Sequence, residues 1–370
     1  MHESLFDTIE QPTLLLDEET ARQNIRRVIQ AAGAIRLRPH FKTHQSAEIG
    51  TWFRDEGVTR ITVSSVEMAR YFAAHGWEDI TIAFPANVRQ AAAIAALAGT
   101  VQLGLLAESV ETVRALARAG VRPAALWLKV DTGAHRTGLL WDDPTKAGRV
   151  AEAARAEGFP LRGLLAHAGN TYGAVGADEV CRRYRESVDR LDGLRRALDA
   201  AGYGPLQISV GDTPSASLCA DLTPADELRP GNFVFYDAKQ MQVGACGWQD
   251  VAVALACPVV ALHPERGEVV LYGGAIHFST DFFMEGEQRV YGRVCLPHGE
   301  RWGAPVPGAA LAALSQEHGI LRFQAEAASA LRALRPGDLV CVLPAHSCLT
   351  VTQMKYYRTL TGRRISTMNE

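Results

Sequence analysis

"ITVSSVEMARYFAAHGWEDITIAFPANVRQAAAIAALA", residues 61–98, carries the pattern on which the fold turns. A short apolar run, ITVSS, leads into a longer amphipathic segment over 65–76. A second run, ITIAFP, leads into another over 87–98. The unit recurs on both sides. TLLLD precedes a helix-like 18–33, AALWLKVD precedes 144–157, and RGLLAHAG precedes the long arginine-rich 176–202; LQISVGDTP and NFVFYD follow. Strand-then-helix units in series argue for parallel β/α architecture, because parallel strands need a crossover connection, usually a helix. Their number favours a closed (β/α)8 barrel of TIM type, with an open doubly wound sheet as the alternative. After about residue 248 the texture changes. VAVALACPVVALH, GEVVLYGGA, RVYGRVCLP and DLVCVLPAHSCLTV are β-rich runs between Gly and Pro turns, with helical periodicity only around 324–332. The expected division is therefore an α/β barrel over 12–247 and a mostly antiparallel β domain over 248–370, with residues 1–11 joining the latter.

Composition narrows the function. The chain has 370 residues, 47% hydrophobic and 21% charged, as soluble globular proteins do. A net charge of −3 supplies no basic stripe for nucleic acid and no polybasic membrane patch. No apolar run reaches the ~18 residues a spanning helix needs, and MHESLFDTIEQP lacks the layout of a signal peptide. Seven cysteines (Cys181, Cys219, Cys246, Cys257, Cys295, Cys341, Cys348) are odd in number and form no CxxC pair. That reads as reduced thiols in a cytoplasmic protein.

Lysine is scarce. Of 38 basic residues only Lys42, Lys129, Lys146, Lys239 and Lys355 are lysines. Where arginine serves solubility, a retained lysine is a candidate for amine chemistry that a guanidinium cannot perform. Lys42 lies in RLRPHFKTHQS, residues 36–46, between His40 and His44.

In a β/α barrel the chemistry sits where strands end, and several apolar runs end in reactive groups. RPHFKTH gives Lys42 and His44. LWLKVDTGAHRTG gives Lys129, Asp131, His135 and Arg136. LLAHAGNTYG gives His167, Asn170 and Tyr172; ISVGDTPSAS gives Gly211, Asp212, Thr213 and Ser215; LRPGNFVFYD gives Arg229, Tyr236 and Asp237. Singly, each has an ordinary explanation: a surface lysine, a hydrogen-bonded core histidine, a helix N-cap, a packed tyrosine. Together, a lysine, a phosphate-sized cradle at a helix start, a ring to stack on a flat heterocycle and an arginine suit pyridoxal 5'-phosphate. The lysine would form a Schiff base with this cofactor, which acts as an electron sink.

LPAHSCLT places His346 and Cys348 at i and i+2, on one face if the segment is extended. An imidazole and a thiolate suit zinc better than magnesium or calcium. Two ligands fall short of the usual three, so water, substrate or His277 from GGAIHFSTD would complete the site. The ordinary reading is a loop histidine beside a buried cysteine.

LRPHFKTHQS, DITIAFP, LLAHAGNTYG, SVGDTPSAS, LRPGNFVFYD, LSQEHGIL and PAHSC together resemble the zinc-dependent D-serine dehydratases of the eukaryotic type. These belong to the D-serine dehydratase/D-threonine aldolase group of fold-type III, alanine-racemase-like pyridoxal phosphate enzymes. The resemblance spans nearly the whole chain in order. It implies a cofactor-bearing barrel, a C-terminal β domain, and a homodimer with active sites near the interface. It implies Lys42 as the cofactor lysine, Gly211, Asp212 and Thr213 in the phosphate loop with Tyr236 close by, His167 and Tyr172 beside cofactor and substrate, and Arg136 near the pyridoxal oxygen. His346 and Cys348 match the metal pair, with zinc expected and magnesium or manganese as alternatives. The aldolases of the group carry His and Asp at those two positions and tend to a histidine where Gly173 stands, so His346 with Cys348 favours dehydration. GGAIHFSTDFF and LTVTQMKYYRTL depart from the dehydratase pattern. The expected activity is conversion of the small D-amino acid D-serine to pyruvate and ammonia. A D-threonine or 3-hydroxy-D-aspartate aldolase is the alternative, then an amino-acid racemase; a non-catalytic pyridoxal-binding protein is opposed by the β domain.

Overall fold

The apolar runs within residues 61–98 form the strands Arg60–Val63 and Asp79–Pro85, parallel and in register from Arg60 opposite Asp79. Gln102–Ala107, Ala125–Asp131, Leu161–Ala166, Gln207–Val210 and Glu227–Leu228 follow, each hydrogen-bonded parallel to the strand before it. The short strand Arg36–Leu37 pairs with Glu227–Leu228 at the far end. Just beyond it, His40 bridges Thr62, whose amide donates to Pro39 O at 2.9 Å. Eight parallel strands thus make a nearly closed barrel, as the alternation predicts.

The structure, a computed structural model, describes residues 5–370, which group into two compact units. The barrel unit comprises Arg26–Lys42 and Ile49–Gly231; the other comprises the N-terminal segment ending at Ile25, Thr43–Glu48 and Asn232–Glu370. Side chains at the crossovers fix where helices start. Ser65 accepts the Met68 amide at 3.0 Å before Val66–Ala74. Asp143 accepts the Lys146 amide at 2.8 Å before Pro144–Ala156, whose leading proline wastes no donor. Within the barrel unit, Arg38 is buried between Asp79 (2.7 Å) and Glu227 (2.8 Å), and Ser209 Oγ donates to Glu227 at 2.8 Å. A buried guanidinium persists only when paired in this way.

The second unit holds a nine-stranded sheet. Glu268–Tyr272, His318–Phe323, Arg301–Leu314, Gly292–His298, Leu339–Pro344 and Val253–His263 pair antiparallel in that order, and Glu268–Tyr272 also pairs with Val253–His263. That second pairing closes the six strands into a ring and removes exposed edges. Thr13–Leu16 pairs antiparallel with Val253–His263 and parallel with Tyr356–Thr359.

Several expectations change. TLLLD, read with the barrel alternation, lies in this second sheet, where Thr13–Leu16 are all buried and pair with Val253–Ala256. NFVFYD is a 3-10 turn over Asn232–Val234 rather than a strand. The thiols are not all reduced: Cys181 and Cys219 form a disulfide, while the remaining five are free. Helix formation over 177–200 and 213–218 brings these two together, which spacing along the chain conceals. The expectation for residues 1–11 lies partly outside the described residues; within them, Leu5–Thr8 is a 3-10 turn. Among the described residues no helix is long and apolar enough to cross a membrane.

Candidate active site

At the C-terminal ends of the barrel strands the polar residues converge. His167 follows Leu161–Ala166, and its Nδ1 lies 2.7 Å from the Gly211 carbonyl beyond Gln207–Val210. A carbonyl only accepts, so Nδ1 carries the hydrogen and Nε2 keeps a lone pair. Its pKa is brought to about 3, by burial first and then by the charges of Lys42, Arg136 and Arg229, against a raising contribution from the Gly211 bond. His167 is therefore a neutral imidazole at physiological pH. His40 is lowered for the same reason: burial first, then Lys42, Arg229, His167 and Arg136. Its Nδ1 accepts the Lys42 amide at 3.4 Å. Lys42 itself is exposed, one residue past the buried Phe41, whose ring packs on Phe53, Phe72 and Trp77.

The loop after Gln207–Val210 shows tight packing and buried unmet polar atoms, Thr213 Oγ1 among them. A Cβ on Gly211 would lie 2.5 Å from the Arg229 backbone, so only glycine fits. Asp212 caps the short helix Thr213–Leu218, accepting the Ser215 amide at 2.7 Å and the Thr171 hydroxyl at 2.9 Å; burial raises its pKa to about 6. The Thr213 amide donates to Tyr172 Oη at 3.3 Å, and Tyr172 lies with its ring centroid 5.9 Å from that of His167. Thr213 Oγ1 is buried and has no hydrogen-bond partner among the described residues. A buried unmet hydroxyl, linked through Tyr172 to a histidine that feels the charges of Lys42, Arg136 and Arg229, is what an anionic group would satisfy. These residues fit the phosphate and aldehyde of pyridoxal phosphate.

Arg229 and Lys129 lie under this cluster. Arg229 donates from Nε to Ser209 Oγ at 2.8 Å and is lowered to about 10 by burial, against the raising charge of Glu227. Lys129 donates to the Val130 and Thr137 carbonyls at 2.7 and 3.2 Å, and burial brings it to about 8. Asp131 shapes the following turn by accepting the amides of Gly133, Ala134 and His135. His135 itself points to solvent, its side chain 83% exposed. A cavity of about 200 Å³ beyond Arg60–Val63 and Asp79–Pro85 is lined by Ser64, Phe84, Asn87 and Ile94, and none of the predicted site residues borders it.

In the second unit, His346 and Cys348 do come together, although not on a strand. The strand ends at Pro344 and a helix begins at Ser347 with His346 as its N-cap, so the extended reading is corrected. Cys348 Sγ lies 3.2 Å from Thr43 Oγ1 and accepts from Asn232 Nδ2 at 3.6 Å. His346 Nδ1 lies 2.7 Å from Asp281 Oδ2. Burial lowers the His346 pKa, but Cys348, Asp281 and Asp237 outweigh it and raise it to about 10. The thiol and two carboxylates favour positive charge at this imidazole, and a divalent metal would supply it in place of the ring proton, so the donor set fits a divalent metal. Among the described residues no third His, Cys, Asp or Glu completes a metal cluster. His277 does not do so: its Nδ1 accepts the Gly274 amide at 3.1 Å and its ring meets Tyr272 edge-on. Tyr236 is buried in this unit with φ of 50°, a conformation that a bulky side chain adopts at a cost.

Sequence reasoning passed over His40, noted only as a neighbour of Lys42, and Asp281. The signal for His40 was its position two residues from the lysine; Asp281 had none until the turn at 279–281 was folded.

A profile of the alanine racemase N-terminal domain matches residues 16–239, and one described as "Putative serine dehydratase domain" matches 252–360. The D-threo-3-hydroxyaspartate dehydratase of Delftia sp. (strain HT23) is 31% identical over 365 residues, covering 95% of this chain and 94% of that protein. Its structure superposes with a TM-score of 0.91 over 100% of both chains, at 28% identity. Solved variants of it replace a histidine and, two positions on, a cysteine with alanine, the latter in a metal-free form. The D-serine dehydratase of Schizosaccharomyces pombe (strain 972 / ATCC 24843) is 26% identical, covering 96% of this chain and 89% of that one. The D-threonine aldolase of Arthrobacter sp is 24% identical, covering 91% and 86%.

Proposed function

Because the chain belongs to the D-serine dehydratase/D-threonine aldolase group of alanine-racemase-like pyridoxal phosphate enzymes, we propose that it dehydrates D-3-hydroxy amino acids, converting D-serine to pyruvate and ammonia. The observation that carries this reading is the His346–Cys348 pair, with Asp281 behind the histidine. Racemisation needs only proton transfers at Cα and leaves that pair without a task. Dehydration must expel hydroxide, a poor leaving group. The His–Cys combination favours dehydration over retro-aldol cleavage.

The barrel residues divide the remaining work. Lys42 is the amine that holds the cofactor and, once released, takes the Cα proton on Nζ. Thr213 Oγ1 and the amides at the start of its helix bind phosphate, with Gly211 allowing the close approach. His167, neutral and hydrogen-bonded to the Gly211 carbonyl, presents Nε2 as an acceptor beside Tyr172. Arg136 and Arg229 supply positive charge to anionic substrate and cofactor groups, and Tyr236 is assigned to the phosphate. Pyridoxal phosphate, when bound, supplies the electron sink for Cα–H cleavage. A metal on His346 and Cys348, zinc by donor type, supplies Lewis acidity to the β-hydroxyl. The enzyme is taken as a cytoplasmic homodimer, in which the barrel unit of Arg26–Lys42 and Ile49–Gly231 carries Lys42 and the unit of Asn232–Glu370 carries the metal pair.

D-threo-3-hydroxyaspartate is a second candidate substrate, favoured by the 31% identical dehydratase that spans 95% of this chain. Incubating D-serine, D-threonine and D-threo-3-hydroxyaspartate separately tests both readings. Keto acid with ammonia supports dehydration and ranks the substrates. Glycine with an aldehyde overturns it.

A further inference from the structure

GGAIHFSTDFF, the segment that departs from the dehydratase pattern, supplies the carboxylate that faces the metal pair. Asp281 Oδ2 lies 2.7 Å from His346 Nδ1. Its Oδ1 accepts the Phe282 amide at 3.0 Å and has the Lys239 ammonium at 3.6 Å. With both oxygens engaged, the carboxylate cannot rotate without losing these partners.

The backbone around Asp281 is built to hold it there. Ser279 adopts φ of 76°, left-handed for a residue that carries a Cβ. Such strain, of order 1–3 kcal/mol, persists where the surroundings over-determine it, and it clusters at functional sites. Ser279 Oγ accepts the Asp281 amide at 3.3 Å, and its own amide donates to Ala275 O at 2.8 Å. Thr350 Oγ1 donates to the Phe278 carbonyl at 3.0 Å, pinning the turn to the helix that His346 caps.

A carboxylate can only accept, so His346 donates from Nδ1 to Asp281, and Nε2 is the nitrogen open to a metal, which would take the place of its proton. Cys348 is hydrogen-bonded to the same imidazole, which places Sγ beside that nitrogen. Among the described residues no third acidic, histidine or cysteine side chain joins the pair, so Asp281 stands behind the histidine rather than on the metal. We propose that Asp281 is a positioning residue that fixes the tautomer and ring plane of His346, so that His346 Nε2 and Cys348 Sγ form a preformed two-donor edge for a divalent metal. The inference rests on the metal reading above and goes beyond it by assigning the residue that sets metal affinity.

The test uses the full chain loaded with pyridoxal phosphate and stripped of metal. Zinc affinity is measured by competition with a chromophoric chelator for wild type, Asp281→Asn, Asp281→Glu and Cys348→Ala. Removing the partner of a metal-bound histidine weakens metal affinity by about 10–100-fold. That fall is expected for Asp281→Asn, with cofactor absorbance and melting temperature unchanged, and Asp281→Glu should lie between it and wild type. Cobalt-loaded Asp281→Asn should keep the thiolate-to-metal band that Cys348→Ala loses, which separates loss of positioning from loss of a ligand. Wild-type affinity within twofold in both Asp281 variants overturns the inference while leaving the metal site standing. A wild-type chain that binds no zinc overturns the metal reading, and the inference with it.

Discussion

Replacing Glu227 with glutamine should unfold the barrel at a markedly lower temperature, and the buried charge network sets the size of the effect. Glu227 is 2% exposed and receives Arg38 Nε at 2.8 Å; Arg38 is 1% exposed and also pairs with Asp79 at 2.7 Å. Glu227 further accepts Ser209 Oγ at 2.8 Å, and Ser209 accepts Arg229 Nε at 2.8 Å. Two guanidiniums are thus balanced by two carboxylates. Glutamine keeps the shape and one acceptor, but it leaves Arg38 to Asp79 alone and takes from Arg229 the carboxylate charge that acts on it. Removing one partner of a buried ion pair costs about 3–5 kcal/mol. In a unit of about 200 residues, 1 kcal/mol moves the melting temperature by ~2–4 °C, so a fall of roughly 6–20 °C is expected. Scanning calorimetry of the full chain reads it, with Glu152→Gln as control, since the Arg155–Glu152 pair is exposed and such pairs contribute about 0–1 kcal/mol. A shift for Glu227→Gln no larger than for Glu152→Gln would refute the reasoning, and with it the view that Arg229 is held at the barrel mouth by this network.

Lys42→Ala should remove the visible absorption of bound cofactor; an unchanged spectrum sinks the assignment. Acid should weaken the fold through His44, fully buried and held at about 3 by that burial. Its folded pKa lies below the unfolded value near 6.5, so its contribution is complete above pH 6.5 and declines as pH falls towards 3. By pH 4.5 the loss is about 2–3 kcal/mol, and His44→Asn should flatten this limb in urea unfolding at pH 7, 5.5 and 4.5. Identical pH slopes would contradict it. Reducing the Cys181–Cys219 bridge, sequence separation 38, should cost the barrel about 3–4 kcal/mol by loop entropy. Five free thiols are expected in the unreduced, denatured chain, and seven would rule the bridge out.

The barrel was legible because its crossovers keep a helical period between apolar runs: 144–157 is Pro144–Ala156, and 176–202 is Ala177–Ala200. What stayed hidden depends on pairing rather than pattern. TLLL looks like any buried strand, and only its partner, Val253–Ala256, puts it in the second sheet. Arg36–Leu37 is too short and too charged to signal a strand, yet it completes the barrel. Strand-end position picked out Lys42 and His167, which the fold brings within electrostatic reach, and Thr213, which Tyr172 links to His167. Asp281 escaped because its role comes from a left-handed turn at Ser279, a conformation that a serine does not advertise. His277, sequentially closer to a metal-ligand pattern, spends its ring on Gly274 and Tyr272.

The central claim joins a lysine-bound cofactor to a metal on His346 and Cys348 in one elimination. Ammonia release from D-serine and from D-threo-3-hydroxyaspartate, followed before chelation, after it, and after zinc is restored, tests it most directly. The account predicts keto acid and ammonia in equal amounts. Both should vanish on chelation while the cofactor's visible absorbance persists, and return with zinc. Ammonia release that survives complete metal removal, or glycine and an aldehyde in its place, would contradict the account.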